Sequence, residues 1–356
     1  KVGGCTSSWT DRMSAAEVNT MDPSAVPRTG LSRRRFASLA CGVAAVAAGG
    51  GAFAQGDARV ARVLVGSQAG GVADAIARIF VSRLRGAFPG DVIVDNRPGA
   101  GGRLAVEALR SARPDGSTLL FTADFVLTVY PHSYRKLPYD PLRDFAPIAA
   151  PVRTALVLSA GPALPASVKT LTDFLRWCRA HPQQAAYASP GAGSTAHFAG
   201  FMLAKAAGVE LTHVPYKGGA PALQDLLGGQ IPVSFNPVGE VLPYLQSGKL
   251  RVLATTGARR NRLLPQAPTL AEAGFPGIVI EPWLGFLAPA GTPEAVVARL
   301  SAAIGDLARQ ADVAEALDRQ GLDVVASTPG SLASLIRSDL DLWAPVVKAS
   351  GFTAED

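Results

Sequence analysis

Two glycine-bearing loops contain the residues best suited to hold a small anion. The first spans Gly66–Gly71 and the second spans Ser189–Thr195, and each lies between a predicted strand and a predicted helix. A helix begins with unpaired N–H groups and about half a positive charge, so it attracts an anion without a charged side chain. Glycine lets the backbone come close to that anion. Either loop alone is typical of an ordinary turn, but one loop in each half of the chain favours a carboxylate site.

A site made of backbone N–H groups can reach a useful affinity. A hydrogen bond to a charged group contributes about 1.5–3 kcal/mol net. About four or five such bonds would reach the roughly 8 kcal/mol of a micromolar ligand after the cost of association. Asp74 follows the first loop, where it either complements the helix dipole or contacts the ligand through water or a ligand donor. The sequence leaves both roles open.

The sequence patterns that would indicate catalysis, a metal site or a cofactor site are weaker than those of the two glycine loops. The histidines are His132, His181, His197 and His213, and their spacing does not match a metal site. The sequence lacks G-x-S-x-G, and Ser194 with His197 lacks an orienting acid, so we interpret them as a helix cap and a packed or ligand-facing ring. The segment 96–103 is similar to a dinucleotide loop, but Leu104 stands where the third glycine should be. We therefore predict no catalytic residue, no metal and no cofactor.

Short apolar runs alternate with helical patterns after residue 54. The predicted strands are Arg62–Val65, Asp91–Val94, Thr118–Thr122, Ala185–Ala188, Leu211–Val214, Ile231–Phe235 and Arg251–Ala254. The predicted helices are Val72–Leu84, Arg103–Ala112, Leu171–Arg179, Thr195–Ala207, Ala220–Leu227, Val238–Gln246, Pro293–Arg309, Asp312–Gln320 and Ser331–Ala349. This alternation is typical of α/β proteins with parallel sheets wound by helices.

The length after residue 54 exceeds one ordinary core and predicts two lobes. Crossings between the lobes are expected near Ala150–Ser159 and Glu281–Ala288, which are extended and apolar. Lobe 1 would then comprise residues 55–155 and 283–356, and lobe 2 residues 156–282. The cleft between them would lie outside the carboxyl ends of the strands, where wound sheets bind ligands.

The segment 1–54 has the pattern of a cleaved export signal. Ser32–Phe36 (SRRRF) is a twin-arginine pattern, the run Ala37–Phe53 is dominated by alanine and glycine, and Ala52–Ala54 is a cleavage signal with the cut after Ala54. Alanine and glycine supply too little transfer energy for a stable membrane anchor. The sequence therefore predicts export to the periplasm, by the twin-arginine or the general secretion route.

Charge and cysteine content narrow the class of protein further. Without the six basic and three acidic residues of the leader, 28 basic and 25 acidic residues are left. This mild, interspersed charge gives no reason to expect nucleic-acid binding. Cys178 is the one cysteine after the leader, so the exported protein would have no internal disulfide. Its apolar helical setting predicts a buried thiol.

Short motifs occur in order along the whole chain after the leader. The most specific are 95–102 (DNRPGAGG), 131–141 (PHSYRKLPYDP) with Asp144 and Phe145, and 213–218 (HVPYKG), and further ones are 226–230 (LLGGQ), 248–251 (GKLR) and 268–274 (PTLAEAG). The chain thereby resembles the Bug family, the periplasmic substrate-binding proteins of tripartite tricarboxylate transporters. One departure is Gly66–Ala69, where the family usually has a run containing proline and an aromatic residue; Gly70, Gly71 and Asp74 are retained. Side-chain contacts at this loop would therefore be polar and unusual.

The resemblance implies a two-lobed periplasmic-binding-protein fold of the Venus-flytrap type (type II) that closes on a small carboxylate. It implies that the two glycine loops hold the carboxylate and that the loops after Phe121 (Thr122–Asp124) and Phe235 shape the rest of the pocket. The expected ligand-binding residues are Ser67, Gln68, Ala69, Gly70, Gly71, Asp74, Thr122, Ala123, Gly191, Ala192, Gly193, Ser194, Thr195, His197, Asn236 and Pro237. The implied partners are the carboxylate and the membrane subunits of the transporter, with the binding protein itself a monomer. A ligand-sensing partner of a sensor kinase and an exported hydrolase are the alternatives.

Overall fold

The structure is a computed structural model that describes residues 60–84, 86–88, 90–245 and 247–354. The predicted leader, residues 1–54, lies outside the described residues. Within the described ranges, the helices are all too short or too polar to cross a membrane.

The described strands form two sheets. The strands are β1 (Ala61–Val65), β2 (Val92–Asn96), β3 (Thr118–Ala123), β4 (Phe145–Arg153), β5 (Leu156–Ala160), β6 (Ala186–Ser189), β7 (Thr212–Pro215), β8 (Val233–Pro237), β9 (Arg251–Thr255), β10 (Trp283–Pro289) and β11 (Asp323–Val324). The first sheet has the order β11-β4-β10-β3-β1-β2, and the second has the order β7-β6-β8-β5-β9.

Helices follow most of the strands. They are α1 (Val72–Val81), α2 (Arg103–Arg110), α3 (Asp124–Thr128), α4 (Tyr130–Ser133), α5 (Leu171–Ala180), α6 (Thr195–Ala207), α7 (Gly219–Leu227), α8 (Val238–Leu245), α9 (Glu294–Arg309), α10 (Ala311–Arg319) and α11 (Pro329–Ser350). The predicted α/β class with two helix-flanked sheets is confirmed. The short helices α3 and α4 and the edge strand β11 were not predicted, because elements this short carry almost no periodic signal.

Both sheets are mixed, which differs from the parallel sheets that the alternation predicts. β1 is parallel to β2 and β3, and β6 is parallel to β7 and β8. β10 is antiparallel to β3 and β4, and β5 is antiparallel to β8 and β9. The two strands that run antiparallel, β5 and β10, each begin directly after a segment that crosses from one sheet to the other. A strand that starts at the junction of the two sheets must run away from it, whereas the parallel strands end there.

The two crossings lie side by side. β4 ends at Arg153 and β5 begins at Leu156, so the outward crossing consists of Thr154 and Ala155. The return crossing precedes β10, and the Thr154 N–H donates to the Pro282 carbonyl at 2.8 Å. The return crossing lies at the start of the predicted stretch Glu281–Ala288, and the rest of that stretch belongs to Trp283–Pro289, a buried strand of the first sheet. A doubly buried strand and an apolar crossing have the same sequence pattern.

Helix α11 connects the cores of the two sheets. Leu332 and Ile336, in its first half, are buried in a cluster with residues of the first sheet. Trp343 and Val347, in its second half, are buried in the main cluster of the second sheet. The helix therefore lies along one side of the crossings and packs on both sheets.

Candidate functional site

The first glycine loop is held by the carboxylate of Asp74. The Gly70 N–H and the Arg78 Nε each donate to Asp74 Oδ2 at 2.9 Å, and the Asn96 Nδ2 donates to Asp74 Oδ1 at 2.9 Å. Asn96 Nδ2 also donates to the Ser67 carbonyl at 3.1 Å. Asp74 therefore ties the loop to the first turn of α1 and to the end of β2.

These bonds give Asp74 a structural role whether or not it also contacts a ligand. Its side chain is 3% exposed. The hydrogen bond from Arg78 outweighs burial, and with the bonds from Gly70 and Asn96 it lowers the pKa of Asp74 from 3.8 to about 2. Because the unfolded chain binds the proton more tightly, this stabilisation is present above pH 4 and is lost as the pH falls toward 2. It amounts to about 2 kcal/mol at neutral pH.

Replacing Asp74 with asparagine should lower the free energy of unfolding by about 2 kcal/mol at pH 7, since the amide cannot accept the same bonds as a charged acceptor. Urea denaturation at pH 7 and pH 3 would measure the loss, which should shrink at the lower pH. The matched control is Asp312→Asn, which removes the exposed pair with Arg83 and should change stability by less than about 1 kcal/mol. An equal loss in both variants, or a pH-independent loss, would contradict this role.

The tip of the first loop is available to a ligand. Gln68, Ala69 and Gly70 are exposed, and the Ser67 hydroxyl is buried without a hydrogen-bond partner among the described residues. The Gly71 N–H donates to the Gln68 carbonyl at 3.1 Å, so it is already engaged. At the start of α1, the first N–H groups have no carbonyl within the helix. The start of α1 is thus exposed to a ligand, and the buried Ser67 hydroxyl is an unpaired donor in the same loop.

The second loop is shaped by side chains that bond to its own backbone. The Ser194 hydroxyl donates to the Gly191 carbonyl at 2.7 Å and accepts from the His197 N–H at 3.2 Å, so Ser194 is the N-cap of α6. The Gly193 N–H donates to His197 Nδ1 at 3.2 Å. The capped start leaves the N–H groups of Thr195 and Ala196 without helical partners. Ala192 is exposed beside them.

The histidines at this loop are neutral and do not supply a positive charge. The rings of His197 and His213 stack with centroids 3.8 Å apart, and His213 Nε2 lies 2.7 Å from the Ser189 hydroxyl. Burial lowers the pKa of His197 to about 4, and burial together with the neighbouring His197 lowers the pKa of His213 to about 3. An anion at this loop is therefore attracted by N–H groups rather than by imidazolium.

The loops after β3 and β8 offer less than the glycine loops. Thr122 is buried, and Ala123 is the N-cap residue of α3. Asn236 is fully buried; its Oδ1 accepts from the Ser234 hydroxyl at 2.5 Å and its Nδ2 donates to Glu240 Oε2 at 2.9 Å. Both ends of the Asn236 amide are thus engaged within the protein. Pro237, half-buried, is the last residue of β8.

A series of close contacts brings the two glycine loops to the same place. A Cβ atom at Gly66 would lie 2.7 Å from the Cα of Gly102. The Tyr130 hydroxyl donates to the Gly101 carbonyl at 3.1 Å. A Cβ atom at Gly193 would lie 3.6 Å from the Tyr130 ring. The segment with Gly101 and Gly102, together with Tyr130, therefore links the first loop to the second.

Sequence reasoning did not find the residues that position these loops. Asn96 lies inside the motif 95–102, and Tyr130 directly precedes the motif 131–141, so their surroundings carried a signal. Their roles depend on partners 29 positions away along the chain, and nothing in the local pattern identifies such partners. Among the described residues, no group of three histidine, cysteine, aspartate or glutamate side chains has the arrangement of a metal site.

Comparisons with known proteins agree with this architecture. A family model described as the tripartite tricarboxylate transporter family receptor, TctC, matches residues 76–352. BugT of Bordetella pertussis is 32% identical over 295 residues, which cover 83% of this chain and 90% of BugT. The structure of MatC from Rhodopseudomonas palustris with bound malate has 31% identity and a TM-score of 0.73, covering 81% of this chain and 99% of MatC. The structure of R. palustris Rpa4515 with adipate has 30% identity and a TM-score of 0.76, covering 83% of this chain and 98% of Rpa4515.

The structure of the periplasmic binding protein BugD has 29% identity and a TM-score of 0.73, covering 83% of this chain and 99% of BugD. Fold and likeness together define a solute-binding protein of the two-lobed periplasmic-binding-protein class, with the Venus-flytrap architecture that the resemblance implied. The chain belongs to the TctC family, and its resemblance to the Bug proteins is confirmed.

Proposed function

We propose that this protein captures a small carboxylate in a cleft between its two lobes and delivers it to the membrane subunits of a tripartite tricarboxylate-type transporter. The observation that carries the proposal is the pairing of two glycine loops, each followed by a helix start, through Gly102 and Tyr130. A carboxylate between the loops would receive N–H groups from both and the Ser67 hydroxyl. It would meet no neighbouring imidazolium, since His197 and His213 are neutral.

The class of ligand is supported by chemistry and by the relatives. N–H groups at helix starts select an anion and leave the rest of the ligand undefined. MatC was solved with malate and Rpa4515 with adipate, and both are small dicarboxylates. The polar loop Ser67–Ala69 differs from the usual family pattern, so the distal part of the ligand is expected to differ from the common ligands of the family.

The location and organisation follow from the same proposal. Residues 1–54 would direct export and be removed after Ala54, and the mature protein would act as a monomer in the periplasm. Its lobes would comprise residues 55–155 with 283–356 and residues 156–282. The membership of β4 in the first sheet and of β5 in the second supports the boundary at 155.

Isothermal titration calorimetry against a carboxylate panel tests the proposal. The panel contains malate, succinate, adipate, citrate, benzoate and amino acids, with adipamide as a neutral analogue of adipate. We expect at least one carboxylate to bind with a Kd at or below the micromolar range, because about four or five charged hydrogen bonds suffice. Replacing its carboxylates by amides should abolish the binding. Absence of binding by every carboxylate would overturn the proposal.

We further propose that the protein is not an enzyme, and the hydrolase alternative has its own test. Among the described residues, the Ser194 hydroxyl bonds to the Gly191 carbonyl and the His197 N–H, and its hydrogen bonds do not include the His197 ring. A serine nucleophile needs that ring as its base. We expect no turnover of carboxylate esters by the wild type. Turnover that disappears in Ser194→Ala and in His197→Ala would favour the hydrolase.

A further inference from the structure

A cavity lies beside the two crossings, and the glycine loops are not part of its lining. Its volume is about 400 Å³, within the range of about 300–1,000 Å³ typical of ligand pockets. Its walls are the start of α3, the return crossing and α11, with Asp124, Glu281 and Asp339 among the lining residues. None of the residues predicted to contact the carboxylate directly lines it, although Asp124 ends the loop Thr122–Asp124 that was expected to shape that pocket. The cavity therefore adjoins that loop and has its own lining.

The polar groups of this cavity are incompletely paired. Asp124 is 3% exposed, and its Oδ1 has no hydrogen-bond partner among the described residues. Asp339 Oδ2 accepts from the Trp283 indole N–H at 2.7 Å. Arg153 pairs with Glu281 at 2.9 Å, and in the part of the chain that the structure describes its buried Nε has no hydrogen-bond partner. A buried carboxylate oxygen without a partner carries a desolvation cost that a ligand donor would remove.

The charges facing the cavity favour a cation. Asp124, Asp339 and Glu281 are acidic, and Arg153 is the basic residue that lines the cavity. Since Arg153 and Glu281 are paired, the carboxyl groups of Asp124 and Asp339 have no countercharge within the lining. An anionic ligand would meet no unpaired cation within the lining at this end.

Apart from Ser327 and Ser331, the rest of the wall is apolar and aromatic. Trp283, Trp343, Leu332 and Leu335 line it, and Leu342 is 42% exposed at α11. Aliphatic and indole surfaces accept a hydrocarbon chain, and indole faces also attract cations. A hydrated inorganic cation would gain nothing from such a wall.

We propose that this cavity binds a small organic ammonium ion, with its charged nitrogen between Asp124 and Asp339 and its hydrocarbon body against Trp283, Trp343 and the leucines of α11. An ammonium group supplies the donors that Asp124 Oδ1 and the free lone pairs of Asp339 lack. The apolar body occupies the volume that a metal ion would leave unfilled. The site is independent of carboxylate capture in the cleft.

The ionisation of the carboxyl groups links this site to pH. Burial, and then the nearby Asp339, raise the pKa of Asp124; burial raises the pKa of Asp339 as well. Bound ammonium favours the charged carboxylates, so binding should release protons and strengthen as the pH rises. The Arg153–Glu281 pair also faces the cavity.

Calorimetry with n-butylammonium chloride, and with n-butanol as its neutral counterpart, tests the proposal on the full-length mature protein. We expect saturable 1:1 binding of n-butylammonium and none of n-butanol. Asp124→Asn and Asp339→Asn should each weaken the binding at least 10-fold, while Asp306→Asn, which removes a surface carboxylate on α9, should leave it unchanged. A pH-stat should record proton release as n-butylammonium binds in unbuffered salt solution, which contains no amine buffer to compete for the site.

Three results would overturn the proposal: no saturable heat with n-butylammonium, equal binding of n-butanol, or unchanged affinity in both asparagine variants. Each variant keeps the volume of the side chain it replaces, and the Asp339→Asn oxygen can still accept from Trp283. Should one variant fail to fold, the other variant and the comparison of the two ligands on the wild type decide the matter. Carboxylate binding measured on the same samples separates failure of this site from failure of the cleft.

Discussion

Replacing Ala192 with aspartate should weaken carboxylate binding by about 100- to 1,000-fold without lowering the melting temperature. Ala192 is exposed in the second loop, two residues before the N-cap Ser194. If the anion binds at the start of α6, a carboxylate at this position lies near it, and two like charges about 4–5 Å apart repel by roughly 3–4 kcal/mol at an effective dielectric constant near 20. The same negative charge favours the positive end of α6. Stability and affinity should therefore change in opposite directions.

Two variants at the same position separate charge from shape. Ala192→Asn has nearly the size of aspartate without its charge and should cost less than about 10-fold in affinity. Ala192→Lys should bind the carboxylate at least as well as the wild type, because it adds attraction. Calorimetry gives the affinities, and thermal unfolding without ligand gives the stabilities. Equal losses for aspartate and asparagine would mean that the helix start is not the anion site.

The sequence was sufficient for those parts of the candidate site that depend on neighbouring residues. Glycines between a strand and a helix predicted both loops, and Ser194 was foreseen as a cap, which is how it bonds to the His197 N–H. Helix α6 was predicted with the bounds that the structure has, because Ser194 begins it and Gly208, with a positive φ of 59°, ends it. Caps are local, and a local pattern can predict them.

The contacts that join residues far apart in the chain could not be predicted from the sequence pattern. The bonds from Asn96 to Asp74 and from Tyr130 to Gly101 join residues 22 and 29 positions apart. The cavity beside the crossings combines α3, the return crossing and α11, which are far apart in the chain. Periodicity predicts that each element has a buried face, and it does not predict which element covers that face. Packing alone decides that, and the site is positioned by packing.

The closeness of Gly66 to Gly102 leads to the second large effect. Replacing Gly66 with alanine should destabilise the protein by about 3 kcal/mol, at the upper end of the usual cost of overpacking. The added Cβ would lie 2.7 Å from the Cα of Gly102 and 3.1 Å from its carbonyl oxygen. Both atoms belong to backbone that bends away less easily than a flexible side chain. The φ angle of Gly66 is not in the left-handed region, so the strain comes from lack of space alone.

The same variant should weaken carboxylate binding by at least 10-fold, because Gly66 begins the first loop and Gly102 belongs to the segment that joins it to Tyr130. Separating them moves the Ser67 hydroxyl and the start of α1 away from the second loop, and one lost hydrogen bond to a charged group costs about 1.5–3 kcal/mol. Gly277→Ala is the matched control, since a Cβ there meets nothing within 4 Å. Urea denaturation and calorimetry on both variants measure the two effects. If Gly66→Ala were as stable as Gly277→Ala, the loops would not be held by this contact. If it lost stability but kept its affinity, the first loop would not belong to the site.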